Sequence, residues 1–160
     1  MIETPTLIGA KADRRPRGRA MLPIRGVIAL ANRTEAEILP AVDTGKLKWV
    51  FNVATDPERS RRRELRFLAE SVADFVEGKE SQLEWDQVFS LLIPHSEPMI
   101  AAPEISHCLN VHCDVPLMLG EIGALRICRV GHRSRSGNFG AVATLFTRES
   151  FESFLKERLV

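Results

Sequence analysis

The sequence contains no tyrosine, which excludes recombinases and relaxases that attack DNA with a tyrosine hydroxyl. A phosphate-binding glycine loop is also missing, because the glycines of GHRSRSGNFG lie in a basic stretch and not between a strand and a helix. Serines and histidines occur, but no spacing assembles them into a catalytic triad. The sequence therefore predicts a protein that is not an enzyme and needs no cofactor.

Long apolar runs are absent as well. No stretch approaches the roughly 18 consecutive apolar residues of a membrane span, and the N-terminus lacks the apolar core of a secretory signal. Cysteine is scarce: Cys108, Cys113 and Cys128 are an odd number without a disulfide-framework spacing, so we expect free thiols in a reducing compartment. These absences predict a cytoplasmic protein without a membrane partner.

Net charge is small, since 22 basic and 21 acidic residues leave a formal charge of +1. Any affinity for nucleic acid must therefore come from local clusters of basic residues. One such cluster is KADRRPRGR, which has almost nothing to bury. We expect residues 1–20 to form a flexible basic arm that touches phosphates or the minor groove, the alternative being a solvated tail without a partner. Its candidate DNA contacts are Arg14, Arg15, Arg17 and Arg19.

An internal repeat organises the rest of the chain. A shift of 78 positions places residues 27–49 on residues 105–127 without a gap, so that Asn32 meets Asn110 and Gly45 meets Gly123. After one inserted residue the match resumes 79 positions apart, with the pairs Phe67 and Phe146, Glu70 and Glu149, Ser71 and Ser150, Phe75 and Phe154. We interpret this as a duplication, the alternative being one winged unit with an unrelated N-terminal half.

Each copy has the same predicted order of elements. A short helix, at about 27–31 or 103–109, ends at a turn with Asn32 or Asn110, and a second helix is closed by Gly45 or Gly123. A β-favouring run, a polar arginine-rich stretch and a returning strand follow, which together form a wing. The predicted fold is mainly α with small β-hairpin wings: two tandem winged helix-turn-helix units, at 21–78 and 99–160, joined by a linker with a helix at 79–98.

Apolar stripes predict the core faces of the remaining helices. The linker pattern indicates one helix ended near Pro94, with Trp85 and Phe89 packing it against the second unit. The stripes of the final helix in each copy consist of Val72, Phe75 and Val76, and of Phe151, Phe154, Leu155 and Leu159.

The second copy resembles a known family. Its segment LNVHCDVPLMLGEIGALRICRVGHRSR resembles the DNA-binding units of the excisionase family, which are related to the MerR-like winged helix-turn-helix. The positions that fit the order of that family are Leu109, Val111, Leu119, Gly123, Leu125, Val130, Gly131, Arg133, Glu149, Phe154 and Leu155. The resemblance implies a second helix in the major groove and a wing on the DNA backbone or in the minor groove.

These positions define the candidate contacts with double-stranded DNA. In the first unit they are Arg33, Thr34 and Glu37 on the recognition helix, with Arg59, Arg61, Arg62 and Arg63 on the wing. In the second unit they are His112, Asp114 and Met118 on the recognition helix, with Arg129, His132, Arg133 and Arg135 on the wing.

The recognition helices depart from the family pattern. Acidic side chains repel phosphates, although Glu37 and Asp114 can accept a hydrogen bond from cytosine in the major groove. Pro40 and Pro116 indicate short or irregular helices. We therefore expect the arginines of the wings and arm to supply the affinity.

A metal site is the main rival motif. His107, Cys108, His112 and Cys113 superficially offer four zinc ligands, but structural zinc sites usually draw on pairs farther apart in sequence. Cys108 also aligns with Leu30, which we expect in the core. We therefore predict no metal and a cysteine that serves as a small hydrophobe.

The sequence thus favours a sequence-specific DNA-binding protein, either a transcriptional regulator or an excisionase-like recombination directionality factor. Its sites would be direct repeats about 10 base pairs apart. Its protein partners would be a recombinase or further copies of itself along DNA. The alternative is an adaptor or antagonist of another regulator, which keeps the winged fold without binding DNA.

Overall fold

The computed structural model describes residues 19–56, 64–130 and 144–160. Within them the chain is an α/β protein with seven helices and two small three-stranded antiparallel sheets, arranged as roughly two similar units. The first unit consists of β1 (Met21–Pro23), α1 (Ile24–Ala31), α2 (Glu35–Asp43), β2 (Val50–Asn52), β3 (Leu65–Leu68) and α3 (Ala69–Val76). The linker holds α4 (Trp85–Leu92). The second unit consists of β4 (Met99–Ala101), α5 (Ala102–Leu109), α6 (Val115–Glu121), β5 (Ile127–Arg129), β6 (Leu145–Thr147) and α7 (Arg148–Arg158).

Each sheet contains one strand more than the predicted hairpin. The strand orders are β1-β3-β2 and β4-β6-β5, so the returning strand is central in both. It pairs on one side with its hairpin partner and on the other with the short strand that precedes the first helix. The extra strand fixes the first helix of each unit against the hairpin.

The turns that end corresponding helices have the same backbone conformation. Asn32 and Asn110 both lie in the left-handed region, at φ of 52° and 56°. Gly45 and Gly123 follow α2 and α6 with φ of 77° and 82°, a conformation that glycine adopts without strain. Since these pairs are the ones matched by the sequence repeat, the repeat reflects a repeated structure.

A serine hydrogen bond also recurs in the two units. The Ser71 hydroxyl donates to the carbonyl oxygen of Lys48 at 2.6 Å, which ties α3 to the start of the hairpin. In the second unit the Ser150 hydroxyl oxygen accepts from the backbone N–H of Arg126 at 3.0 Å. The same two positions are therefore joined in both units, with donor and acceptor exchanged.

The second helices are short, as predicted from their prolines. α2 has nine residues with Pro40 in its interior, and α6 has seven residues. Pro116 lies in the first turn of α6, where its missing N–H removes no helical hydrogen bond.

The apolar residues form two clusters. One belongs to the first unit alone and includes Val27, Ile38 and Phe67. The other joins both units and the linker, because it contains Phe51 and Leu68 of the first unit, α4, and the interior of the second unit. The two units are therefore packed against each other through a common core.

Two expectations about packing are wrong, and a third is incomplete. Trp85 and Phe89 lie beside Lys156 of the second unit, as expected, but the Trp85 ring also lies 4.8 Å from that of Trp49 in the first unit. Leu30, expected in the core, is 53% exposed. The stripes reach the surface at their ends, where Val76 and Leu159 are 44% and 42% exposed.

Specific polar contacts fix the two units to each other. Phe51 forms a β-bridge with Leu159, and the Arg158 guanidinium donates to the carbonyl oxygens of Asn52 and Ala54 at 3.1 and 2.6 Å. Nε of Arg66 donates to the carbonyl oxygens that end α5. The surfaces that meet belong to different elements: the sheet side of the first unit meets the linker helix α4 and the C-terminal ends of α5 and α7 of the second unit.

No helix of the described part of the chain is long and apolar enough to cross a membrane.

Candidate nucleic-acid interface

In the first unit, the turn before α2 is held by a hydrogen-bonded pair. Both the backbone N–H and the hydroxyl of Thr34 donate to Oε1 of Glu37, at 3.2 and 3.0 Å. The hydrogen bond from the Thr34 backbone N–H, and to a smaller extent the one from its hydroxyl, lowers the pKa of the Glu37 carboxyl from its ordinary value. Such a pair is typical of a helix start. Thr34 and Glu37, both predicted to read bases, thus have a local structural role that needs no DNA.

Replacement of Thr34 by alanine is expected to lower the free energy of unfolding by about 1 kcal/mol, the usual cost of losing an N-cap side chain. Urea unfolding measures this effect. Glu35→Ala is the matched control, since Glu35 lies exposed in the same turn and has no part in the Thr34–Glu37 pair. Equal losses in the two variants would contradict the capping role.

Three cations of the first unit line a depression between α2 and the end of α3. The Arg33 guanidinium lies 5.0 Å from the centroid of the Phe75 ring, which keeps the side chain beside α3. Lys46 and Lys79 line the same depression, whose volume is about 400 Å³. Glu80 also lines it but pairs with Lys48 at 2.7 Å, and Glu77 pairs with Lys79 at 3.1 Å.

This cluster was missed at the sequence level, where only Arg33 was singled out. Lys46 and Lys79 are far apart in the sequence and come together because Gly45 and Gly78 both turn the chain with positive φ at helix ends. The sequence signal for this cluster is the dipeptide Gly-Lys, which follows a predicted helix at 45–46 and again at 78–79. The depression can take an anionic group such as a DNA phosphate.

The second unit presents a different surface at the corresponding place. His112 and Asp114 lie in the turn before α6, where Nδ1 of His112 accepts from the backbone N–H of Asp114 at 3.2 Å. Met118 lies on α6 and is 44% exposed, and Ile122, just after the helix, is 57% exposed. α6 itself, VPLMLGE, contains no basic residue. This part of the second unit is apolar and has little chemistry for phosphate.

The four residues of the rival zinc motif do not share one environment. Cys108 is buried, and burial raises the pKa of its thiol, so it packs as the small hydrophobe that the sequence predicted. His112, Cys113 and Asp114 have ligand atoms within 4.8 Å of one another, and all three residues are exposed. Nδ1 of His112 already accepts the Asp114 N–H, so this cluster is explained by its own turn.

The remaining predicted contacts are distributed unevenly over the structure. Arg19 donates from Nη1 to Oδ1 of Asn110 at 3.1 Å, which places the end of the basic arm beside the second unit. Arg129 is exposed on β5. The candidates that lie outside the described residues are Arg14, Arg15, Arg17, Arg59, Arg61, Arg62, Arg63, His132, Arg133 and Arg135. The strands on either side of residues 57–63 and 131–143 are described and paired.

Other arginines serve the fold. Arg66, Arg148 and Arg158 donate to backbone carbonyl oxygens, Arg148 to those of His95 and Glu97. Arg148 thereby fixes the chain after α4 to the second unit. These side chains are not available to DNA without loss of those bonds.

Comparison of the chain with known protein families, with curated proteins and with solved structures found no match.

Proposed function

We propose that this chain is a sequence-specific DNA-binding protein built from two tandem winged helix-turn-helix units. It would act as a transcriptional regulator or as an excisionase-like recombination directionality factor. The observation that carries the proposal is the recurrence, in both units, of two helices joined at a left-handed asparagine and followed by an antiparallel strand pair with an arginine-rich connection. In winged DNA-binding folds this arrangement presents a helix and a basic loop on one side.

In this proposal, phosphate contacts come mainly from outside the second helices. α2 carries Glu35 and Glu37 in its first turn, and neither α2 nor α6 has a basic side chain. Arg33, Lys46 and Lys79 supply positive charge beside α2. The basic arm and the two segments that connect the hairpin strands, residues 57–63 and 131–143, contain further arginines, which the sequence predicts to contact DNA.

The packing of the units favours direct-repeat sites. A two-fold arrangement would bring the same elements of both units together. Here the sheet side of the first unit meets α4 and the ends of α5 and α7, so the units are related in a head-to-tail manner. Such a relation matches two half-sites of the same orientation better than a palindrome.

Binding to a random duplex, followed by fluorescence anisotropy at increasing salt, tests the proposal. Affinity should fall linearly on a log–log plot with a slope of about −0.9 for each phosphate contacted. The triple variant Arg61→Ala, Arg62→Ala, Arg63→Ala should make this slope less steep by the amount expected for the loss of two to three phosphate contacts. An unchanged slope would show that the first wing does not touch DNA, and no binding even at low salt would refute the proposal.

The cation cluster gives a second, independent prediction. The double variant Arg33→Ala, Lys46→Ala should weaken binding to all sequences alike and reduce the salt slope by about 2. The matched control is Arg25→Ala, which removes a positive charge from the exposed surface of α1. If the slope falls equally for each charge removed in both variants, the depression is not a specific phosphate contact.

One observation favours a second candidate function. Leu117, Met118 and Ile122 are 39%, 44% and 57% exposed along and just after α6, where a DNA-reading helix would carry polar side chains. If DNA binding is absent, this surface supports an adaptor that acts through protein contacts.

A further inference from the structure

An apolar groove is open on the outer side of the first unit, between α1 and α3. Its floor is formed by Leu22, Gly26, Ala29, Leu30, Ala69 and Ala73, and its volume is about 850 Å³. Leu30 is 53% exposed. Glu70 and Glu77 lie at the rim and give it negative charge, of which Lys79 offsets a part.

The corresponding face of the second unit is covered. The counterparts of Gly26, Ala69 and Glu77 in the repeat are Glu104, Arg148 and Lys156. Glu104 contacts His95 at 2.6 Å, Arg148 donates to the carbonyl oxygen of Glu97, and Lys156 lies 5.8 Å from the Trp85 ring. Helix α4 and the residues that follow it thus occupy in the second unit the place that is empty in the first.

A second open surface lies on the second unit, where the complementary situation holds. In the first unit, β2 is covered by the second unit, and Phe51 is fully buried against it. In the second unit, all three residues of the matching strand β5 are exposed. Ile122 and Ile127 give this α6–β5 surface its apolar part, and Arg126 and Arg129 give it positive charge, with Glu121 as the acidic residue of α6.

We propose that the groove of one molecule binds the α6–β5 surface of a second copy of this chain, so that molecules associate head to tail. Each open surface has a counterpart that is covered inside the chain: α4 and the residues after it cover the counterpart of the groove, and the end of α7 covers the counterpart of β5. The two open surfaces also match in chemistry, since both are apolar and the acidic rim at Glu70 and Glu77 would face Arg126 and Arg129. A groove-to-groove dimer would instead bring two acidic rims together.

A head-to-tail contact leaves one groove and one α6–β5 surface unused at the ends, so association continues beyond the dimer unless the rotation closes a ring. It needs no DNA and therefore stands or falls separately from the proposed function.

Sedimentation equilibrium of the full chain in the absence of DNA tests the proposal with two variants. Leu30→Glu places a charge in the groove, and Ile122→Glu places one on the α6–β5 surface; both residues are more than half exposed, so both variants should fold. Circular dichroism checks that they do. Met99→Glu, at an exposed apolar position on β4 outside both surfaces, is the matched control.

The wild-type and control proteins should reach average masses above that of a dimer as concentration rises, and each variant alone should remain monomeric. An equimolar mixture of the two variants should form a 1:1 complex that grows no further, because it contains one intact groove and one intact α6–β5 surface. A wild-type protein that stays monomeric at its highest soluble concentration would overturn the proposal. So would an Ile122→Glu variant that still dimerises alone, since that result indicates groove-to-groove contact, or a mixture that stays monomeric.

Discussion

Replacement of Phe51 by alanine is expected to lower the free energy of unfolding by about 3–5 kcal/mol, the range for a buried phenylalanine. Phe51 is fully buried, its ring lies 6.0 Å from that of Trp85, and its backbone bridges Leu159. The cavity would open in the cluster that both units share, so the loss should affect the whole molecule and not the first unit alone.

Urea unfolding followed by two signals measures this loss. Trp49 and Trp85 both lie at the junction of the units, so their fluorescence reports on the common core, whereas circular dichroism reports on helices throughout. Both signals should shift together to lower urea. Leu117→Ala, at a position 39% exposed, is the control and should cost under about 1 kcal/mol. Two separated transitions in the wild-type protein would contradict a common core.

Replacement of Gly120 by alanine is the second large effect that we expect, a destabilisation of about 1–3 kcal/mol through overpacking. A Cβ at this position would lie 2.7 Å from Cδ1 and 2.9 Å from Cγ1 of Ile127, and 3.1 Å from Cε1 of the fully buried Phe146. The glycine therefore allows α6 to approach the sheet of the second unit closely.

A double-mutant cycle with Ile127→Ala tests this cause, with urea unfolding as the measurement. Removal of Cδ1 and Cγ1 should make Gly120→Ala clearly less costly than it is in the wild-type background. Gly123→Ala is a useful comparison, because no atom lies within 4 Å of a Cβ there and its cost comes only from the positive φ. Equal costs of Gly120→Ala in both backgrounds would show that Ile127 is not the obstacle.

The repeat made much of the fold predictable. Asn32 and Gly45 have partners at Asn110 and Gly123, and residues at helix-ending turns signal backbone conformation directly. The helix pairs and hairpin strands therefore follow from local chemistry that is present twice in the sequence.

The extra strand of each sheet could not be predicted in this way. β1 and β4 have three residues each, MLP and MIA, which is too short for an alternating pattern. They are strands because a neighbour, β3 or β6, offers a free edge. Similarly, Leu30 and Cys108 occupy matching positions, but one is exposed and the other buried, because α4 and the residues after it cover this face of the unit only in the second unit.

The candidate site was predictable only in part. Arg33 was identified from its place before α2, whereas Lys46 and Lys79 join it through turns that are distant in sequence. Position in the repeat predicts that Thr34 and Glu37 read bases, whereas their mutual hydrogen bonds depend on the helix start that they form. Neither the clustering of these cations nor the hydrogen bonds of this pair can be predicted from the position of each residue in the repeat.

Hydroxyl-radical footprinting of the full chain shows whether two similar units bind DNA side by side. The natural probe is a duplex that contains the promoter region of the protein's own gene. We expect two protected segments of the same orientation, separated by about one helical turn or 10 base pairs. A single protected segment would contradict the action of two units, and an unprotected duplex at low salt would contradict DNA binding itself.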